Sequence, residues 1–466
     1  MLWEVKGGAC IYMGRYYPPE FLEELKMKAN LVDIASQYTE VRRIGYNYLA
    51  KCPFHDDHHP SMQIKPETNT FYCHACGAGS SNHSKVNSSD IISFVQHVNQ
   101  FTFPQAVEYL ASLTNTPLPA MNPQEQQKQY RYQQWVSLCE QAANEFHEQI
   151  KTNEKALSYL SSRGFTHLEI EIWKLGYAKE IPHEIFSNLK NRIVFPMYDV
   201  HDNIIGFAGR VPFSKEILEI LNQERKQEGK PEIVKYVNLK NTEHFVKGHH
   251  LYGIHIAKDY IRQWRTAIVT EGYTDVISLH RSGAQHTVST MGTALTEHQA
   301  RLLKQAGAEK VILMRDADEA GLIASERDAK VLEKVGLQTF IVPLPEGMDP
   351  DDLCWHYGLW NEGLSKYIHK HMQSIEQWKI NRIYKQTQDE ILYHYTMINH
   401  FQTDRLQKVI EVLATIDDPI QLDIFIRQVS ELFVVSYDAV KEKLNHYKTK
   451  KQQSQNKVVP FHKKVV

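Results

Sequence analysis

The sequence predicts an α/β chain of several domains, on three observations. Between Trp264 and about Leu353, short apolar runs alternate with amphipathic ones, the pattern of a parallel sheet with crossover helices. Cys52-Pro-Phe-His55 and Cys73-His-Ala-Cys76-Gly77 form two hooks with 17 residues between them, the spacing of a small tetrahedral zinc unit of ribbon type. From Trp355 to Tyr447 the pattern is helical, with Leu406, Val409, Ile410 and Leu413 on one stripe. A chain of 466 residues exceeds one ordinary core, so about three domains are expected.

The parallel-sheet stretch carries the densest chemistry. Val311 to Met314 reads as a buried strand, followed at once by Asp316 and Asp318, then Gly321 and a helix with Leu322, Ala329, Leu332 and Val335 on one side. Open α/β sheets bind ligands at such strand ends. Two carboxylates two residues apart repel unless something positive lies between them, and a hard divalent cation such as Mg2+ takes oxygen ligands. The competing reading is that Asp316 or Asp318 only caps the helix. Two further stretches favour the metal. Ala267-Ile-Val-Thr-Glu271-Gly-Tyr-Thr-Asp275 is another strand ending in acids, and Asp349-Pro-Asp351-Asp352 follows the strand Thr339–Val342. The remaining strand is His286–Ser289, with Met291-Gly-Thr293 as a tight turn after it.

In the zinc unit, Ser61–Ile64 and Thr70–Tyr72 read as paired strands that hold the hooks together. So small a unit needs its metal to fold. Phe54, Phe71 and Tyr72 suit either packing around the zinc or stacking on single-stranded bases. Pro19 to Tyr38 reads as one helix, and Asp90 to Leu113 as two broken near Pro104. Met13 could be an alternative start, little before it looking structured. The domains expected are 1–113 with the zinc, 114–129 as a Pro-, Asn- and Gln-rich linker, and 130–263 as a mixed α+β basic subdomain. The parallel-sheet domain at 264–354, helices at 355–447 and a disordered basic tail at 448–466 complete the chain. In the basic subdomain, Arg192–Tyr198 and Ile204–Arg210 form a hairpin turning at His201-Asp-Asn203. Arg192, Arg210, Lys235 and Lys247 lie among aromatics, suiting phosphates and bases, although a solvated face has the same composition.

Composition excludes several classes. The net charge of −2 gives no global attraction to nucleic acid, so binding must come from local patches. No apolar run reaches the 18 or so residues that span a bilayer, and Met1 to Tyr17 has no secretory apolar core. Three of six cysteines cluster with histidine, which places the chain in a reducing, cytoplasmic compartment. No P-loop motif occurs.

The order of these features resembles the bacterial DnaG-type DNA primase family, from about Pro18 to Leu444. Local matches are Cys52-Pro-Phe-His55, Phe71-Tyr-Cys-His-Ala-Cys-Gly77, Arg192-Ile-Val-Phe-Pro196, Gly206-Phe-Ala-Gly-Arg210 and Glu271-Gly-Tyr-Thr-Asp275. Lys235-Tyr-Val-Asn238, Leu251-Tyr-Gly253 and Asp349-Pro-Asp351 match as well. The resemblance implies that the α/β unit is a TOPRIM domain and that 130–263 opens a polymerase core. It implies zinc on Cys52, His55, Cys73 and Cys76, and Mg2+ or Mn2+ on Glu271, Asp316 and Asp318, with Asp275, Asp349 and Asp351 completing the acidic site. Glu271, Asp316 and Asp318 would be catalytic, Glu271 as ligand or as general base. Arg192, Arg210, Lys235, Asn238 and Lys247 would meet template and nucleotide. The implied activity is synthesis of short RNA primers on single-stranded DNA from ribonucleoside triphosphates, with a replicative helicase in trans and no membrane.

This sequence departs from the family in three places. Ala317 stands where the family has Gly, Arg315 where an aromatic residue is common, and Ser81–Ser89 extends the turn after the second hook. Arg315 would hold a triphosphate or weaken metal binding. No stretch corresponds to the family's helicase-docking module. Two rival readings use the same residues: a TOPRIM nuclease or topoisomerase-like enzyme, and a DNA-binding protein whose acidic site has decayed.

Overall fold

The computed structural model describes residues 4–5, 9–12, 15–80, 86, 88–99, 101, 103–120, 123–292, 294–358, 362–393 and 398–456. The chain divides into two compact units, Met1–Gln141 and Ala142–Val466.

The first unit opens with three short antiparallel strands, β1 (Glu4–Val5), β2 (Ala9–Tyr12) and β3 (Arg15–Tyr17), the first two lying before Met13, where little structure was expected. The expected helix Pro19–Tyr38 is two helices, Pro19–Lys28 and Leu31–Ala35. They part because Ala29 is extended and Asn30 caps the second, its side-chain oxygen accepting from the Val32 N–H at 2.9 Å. Four antiparallel strands follow in sheet order: β4 (Val41–Ile44), β5 (Asn47–Ala50), β6 (Met62–Lys65) and β7 (Thr70–Cys73). The sequence reading had only the second pair. β4 has no fully buried residue, so it lacks the alternation that marks a strand. Helices Ile91–Val98 and Phe103–Leu113 pack on this sheet, with Phe71, Phe94, Val95, Val107 and Leu110 fully buried. The break falls before Pro104, which the first turn of the second helix tolerates. In the extended turn, Ser81–Lys85 and Asn87 lie outside the described residues, whereas the carbonyl of Val86 accepts from the Gly79 N–H. Helix Pro123–Lys151 starts inside the expected linker, and the division between units falls within it.

Among the described residues the second unit contains two sheets. β8 (Gly176–Tyr177), β9 (Ile193–Tyr198), β10 (Ile204–Arg210) and β11 (Tyr236–Asn238) form an antiparallel sheet. The β9–β10 hairpin turns where expected: Asp199 accepts from the N–H groups of His201 and Asn203, and Asp202 takes a left-handed φ of 65°. The other sheet has the order β13-β12-β14-β15-β16, from β12 (Thr266–Thr270), β13 (Thr287–Ser289), β14 (Lys310–Leu313), β15 (Gln338–Ile341) and β16 (Gln373–Ser374). The first four run parallel, as expected, and β16 adds an antiparallel edge. Both faces are buried: Val269, Val311 and Leu313 join one apolar cluster, and Ile268, Ile312 and Met314 the other.

Four helices close the chain: Ile375–Tyr393, Ile398–Leu413, Pro419–Phe433 and Tyr437–Asn456. Val409, Ile410 and Leu413 form their core with Phe425 and Val429. The last helix corrects the expected tail, since Lys448–Asn456 is helical; residues 457–466 lie outside the described residues. No described helix is long and apolar enough to cross a membrane.

Candidate metal centre and active site

In the first unit the two hooks meet. One ligand atom each from Cys52, His55, Cys73 and Cys76 lies within 4.8 Å of all the others, the one such group among the described residues. The Cys52 and Cys76 sulfurs are 3.9 Å apart, and His55 Nδ1 is 4.0 Å from Cys73 Sγ. Three thiols and an imidazole are a donor set for tetrahedral zinc. Asp57, which the sequence reading passed over, organises them. Its Oδ2 accepts from the Cys52 N–H at 2.8 Å and the Ser61 hydroxyl at 2.6 Å, and its Oδ1 is 3.6 Å from His55 Nε2. Burial raises the Cys73 thiol, but donation from the Cys76 N–H and the Ser61 hydroxyl outweighs it and brings the thiol below its ordinary value. Phe54 and Phe71 pack on Phe94 at 5.5 and 5.2 Å, so they belong to the core, whereas Tyr72 stays exposed.

In the second unit the acids gather at the carboxyl end of the parallel sheet. Glu271 follows β12, and Asp316 and Asp318 follow the adjacent β14. The Glu271 carbonyl accepts from Gly292 N–H at 2.9 Å, in a turn where Met291 and Gly292 both have positive φ; Thr293 lies outside the described residues. Asp275 lies in the first turn of helix Tyr273–Arg281, its Oδ2 accepting from the Gly272 N–H at 2.9 Å. The Ala317 N–H donates to the Met348 carbonyl at 3.1 Å, joining the Asp-x-Asp loop to the Asp349 loop.

The capping reading holds for part of the set. Asp318 caps helix Glu319–Lys334 through the Gly321 N–H, and Asp349 caps helix Pro350–Tyr357 through the Asp352 N–H, both at 2.7 Å. Asp351 is occupied on both oxygens, by the Ser278 hydroxyl and by Arg163 at 2.5 Å. Asp316 and Glu271 differ. Asp316 Oδ1 and Glu271 Oε1 are buried without a hydrogen-bond partner among the described residues. Burial, then Glu271, Asp349 and Asp318, push the Asp316 carboxyl up to about 7. Burial also raises Glu271, against the nearby Arg315, and raises Asp275 well above the carboxylate range with help from Asp349, Asp316 and Asp351. Orphaned oxygens and mutually raised carboxyls fit a cation. Among the described residues the acids do not form a ligand group like the zinc set, so the arrangement is looser.

The basic residues are divided. Arg210 is buried, its guanidinium 4.3 Å from the Tyr159 ring and 5.4 Å from Tyr236. Lys235 is exposed at its end of the sheet, and desolvation, then Arg210 and Arg163, lower its ammonium. Arg192 donates to the Val234 carbonyl at 2.8 Å, and Asn238 accepts from the Tyr273 hydroxyl. Lys247 sits in the short turn Lys247–His249, which Gly248 ties to Thr296 instead. Arg163, which no sequence signal singles out for the site, links the two sets, since it pairs with Asp351 and acts on both Lys235 and Asp349. A cavity of about 510 Å3 lined by Arg163, Met348, Asp352 and Trp355, among others, opens beside Asp351. Arg315 is buried and paired with Asp328, so its guanidinium is already engaged.

A Cys/His zinc-finger unit ahead of an acidic parallel sheet defines a nucleic-acid enzyme of the zinc-finger and TOPRIM class. Three family models match: the CHC2 zinc finger at 17–127, the N-terminal domain of the DNA primase catalytic core at 179–258, and a Toprim-like domain at 268–354. The DNA primase of Clostridium acetobutylicum is 30% identical over 441 residues, covering 88% of this chain and 67% of that protein. That of Halalkalibacterium halodurans is 29% identical over 481 residues, covering 95% and 74%. The RNA polymerase domain of Mycobacterium tuberculosis primase DnaG, in complex with double-stranded DNA, shares the fold at 20% identity and a TM-score of 0.52. That match covers 65% of this chain and 98% of that one. The chain belongs to the bacterial DnaG-type DNA primases. It is therefore a DNA-directed RNA polymerase of replication, a nucleotidyltransferase.

Proposed function

We propose that this chain makes short RNA primers on single-stranded DNA at the acidic end of the parallel sheet, using Mg2+ or Mn2+. One observation carries the reading: buried, unpartnered oxygens of Glu271 and Asp316 stand at the ends of two adjacent parallel strands. Glu271, Asp316 and Asp318 would hold the metal, with Asp275 and Asp349 supplying further negative charge. Asp351 supports the site through Arg163 rather than by direct ligation, since its oxygens are taken. The bound cation would favour attack of a ribonucleotide 3′ oxygen on the α-phosphate of the incoming triphosphate and neutralise the departing pyrophosphate. The new O3′–P bond would form as the bond to the β-phosphate oxygen breaks, with pyrophosphate leaving and the 3′-hydroxyl proton passing to solvent or to Glu271.

Lys235 and Arg163 would steady phosphates beside the acids, and Arg210, held between tyrosines, would orient this edge. Arg192, Asn238 and Lys247 would extend the surface along the template. One structural zinc on Cys52, His55, Cys73 and Cys76 would shape a unit that helps choose a start site on unpaired DNA. A replicative helicase would act in trans. The domain limits expected above are proposed with two changes, the polymerase core beginning within helix Pro123–Lys151 and the closing helices running on to Asn456. The 466-residue chain, single-stranded template, ribonucleotides and Mg2+ should yield short RNA. Nicking of plasmid without nucleotides, and no RNA, would support the nuclease reading instead.

A further inference from the structure

Arg315 and Asp328 form a buried ion pair directly beneath the acidic site, and neither residue is used by the reading above. The Arg315 side chain is 3% exposed and that of Asp328 is fully enclosed. Arg315 Nη1 donates to the Thr270 carbonyl at 3.1 Å and to Thr290 Oγ1 at 3.0 Å, while Nη2 donates to Asp328. Thr270 is the last residue of β12, one before Glu271, and Thr290 follows β13 and leads into the turn that holds the Glu271 carbonyl. Asp328 lies in helix Glu319–Lys334, whose cap is Asp318, and also accepts from the Leu295 N–H at 3.1 Å. Arg315 itself adjoins Asp316. One planar guanidinium thus ties the end of β12, the turn after β13 and the helix that starts at Asp318. A fork of fixed geometry does this, where an ammonium would make a single point contact.

We propose that Arg315, held by Asp328, is a positioning residue for the acidic site: it fixes Glu271 relative to Asp316 and Asp318, and so sets how tightly the site takes a divalent cation. The inference rests on the metal-site reading. Burial explains why the pair must be treated as a unit. Asp328 also meets Arg327 Nε at 3.4 Å, so losing Arg315 leaves that longer contact to balance the enclosed carboxylate, whereas neutralising both partners removes both buried charges together.

The test uses the full zinc-loaded chain and Mn2+ alone, followed by electron paramagnetic resonance. Arg315→Met with Asp328→Asn, which keeps an acceptor for the Leu295 N–H, should melt close to wild type yet bind Mn2+ about tenfold more weakly, the usual effect of removing a group that orients metal ligands. The Mn2+ concentration for half-maximal primer synthesis should rise by the same factor, with a smaller change in the rate at saturating metal. Arg315→Lys, which keeps the charge but not the fork, should fall between. A folded double variant that binds Mn2+ within twofold of wild type overturns the inference. Wild type that binds no more Mn2+ than Asp316→Asn overturns the metal-site reading itself, and this inference with it.

Discussion

The backbone N–H of Ala317 donates to the carbonyl oxygen of Met348 across 3.1 Å, so the loop that carries Asp316 and Asp318 is stitched to the loop that carries Asp349. Gly321 completes the stitch from the other side. A methyl group on it would stand 2.2 Å from the Asp316 carbonyl oxygen, a backbone atom that cannot swing aside. Gly321→Ala should therefore displace Asp316, and misplacement on that scale costs roughly 100-fold in turnover. Steady-state primer synthesis checks this, with unchanged zinc content as the control; near-normal synthesis would show that the loop tolerates the shift.

Asp316 should cost the Mg2+-free protein stability. Its folded-state carboxyl is pushed up to about 7 from an ordinary 3.8. Folding therefore disfavours the ionised form. The penalty is complete above about pH 7 and vanishes as pH falls toward 3.8, because both states then hold the proton. Asp316→Asn should melt higher than wild type at pH 8 without Mg2+, and the gap should shrink by pH 5. Added Mg2+ at pH 8 should raise the melting temperature of wild type only. Melting curves across that range read out all three expectations.

Asp57 should tune the zinc site without touching the metal. It accepts from the Cys52 N–H and faces His55 Nε2. Asp57→Ala should weaken zinc binding by about 10- to 100-fold, as loss of ligand-orienting carboxylates does elsewhere. Cys73→Ser should abolish stoichiometric zinc. Competition with a chromogenic chelator distinguishes the two.

Lys235 is exposed and adjoins Arg163 and Arg210. If it meets a phosphate, Lys235→Ala should weaken binding of single-stranded DNA alike for all sequences. The slope of log affinity against log salt should drop by about 0.7 for a single strand. An unchanged slope would place the template elsewhere.

Much of this architecture was legible because the signals were local. Strand ends followed closely by Glu271 and Asp316 announce themselves, and so do the zinc hooks, since few other arrangements use Cys and His at that spacing. The break at Ala29–Asn30 was not legible because the apolar stripe runs across it, strand β4 because its side chains do not alternate in burial, and the edge strand β16 because it depends on pairing with the distant β15. The partners of the site were hidden for the same reason. Arg163 is 188 positions from Asp351, and the Arg315–Asp328 pair crosses from a strand end into the middle of a helix. Nor could spacing alone say which acids cap helices, as Asp318 and Asp349 do, and which keep free oxygens, as Glu271 and Asp316 do.

The most direct measurement is primer synthesis by wild type beside Asp316→Asn, on single-stranded templates of mixed sequence with all four ribonucleotides and Mg2+ or Mn2+, with zinc content measured on both. Short RNA from wild type alone, at equal zinc, is the predicted result. Equal synthesis by the two proteins would contradict the assignment of the acidic site.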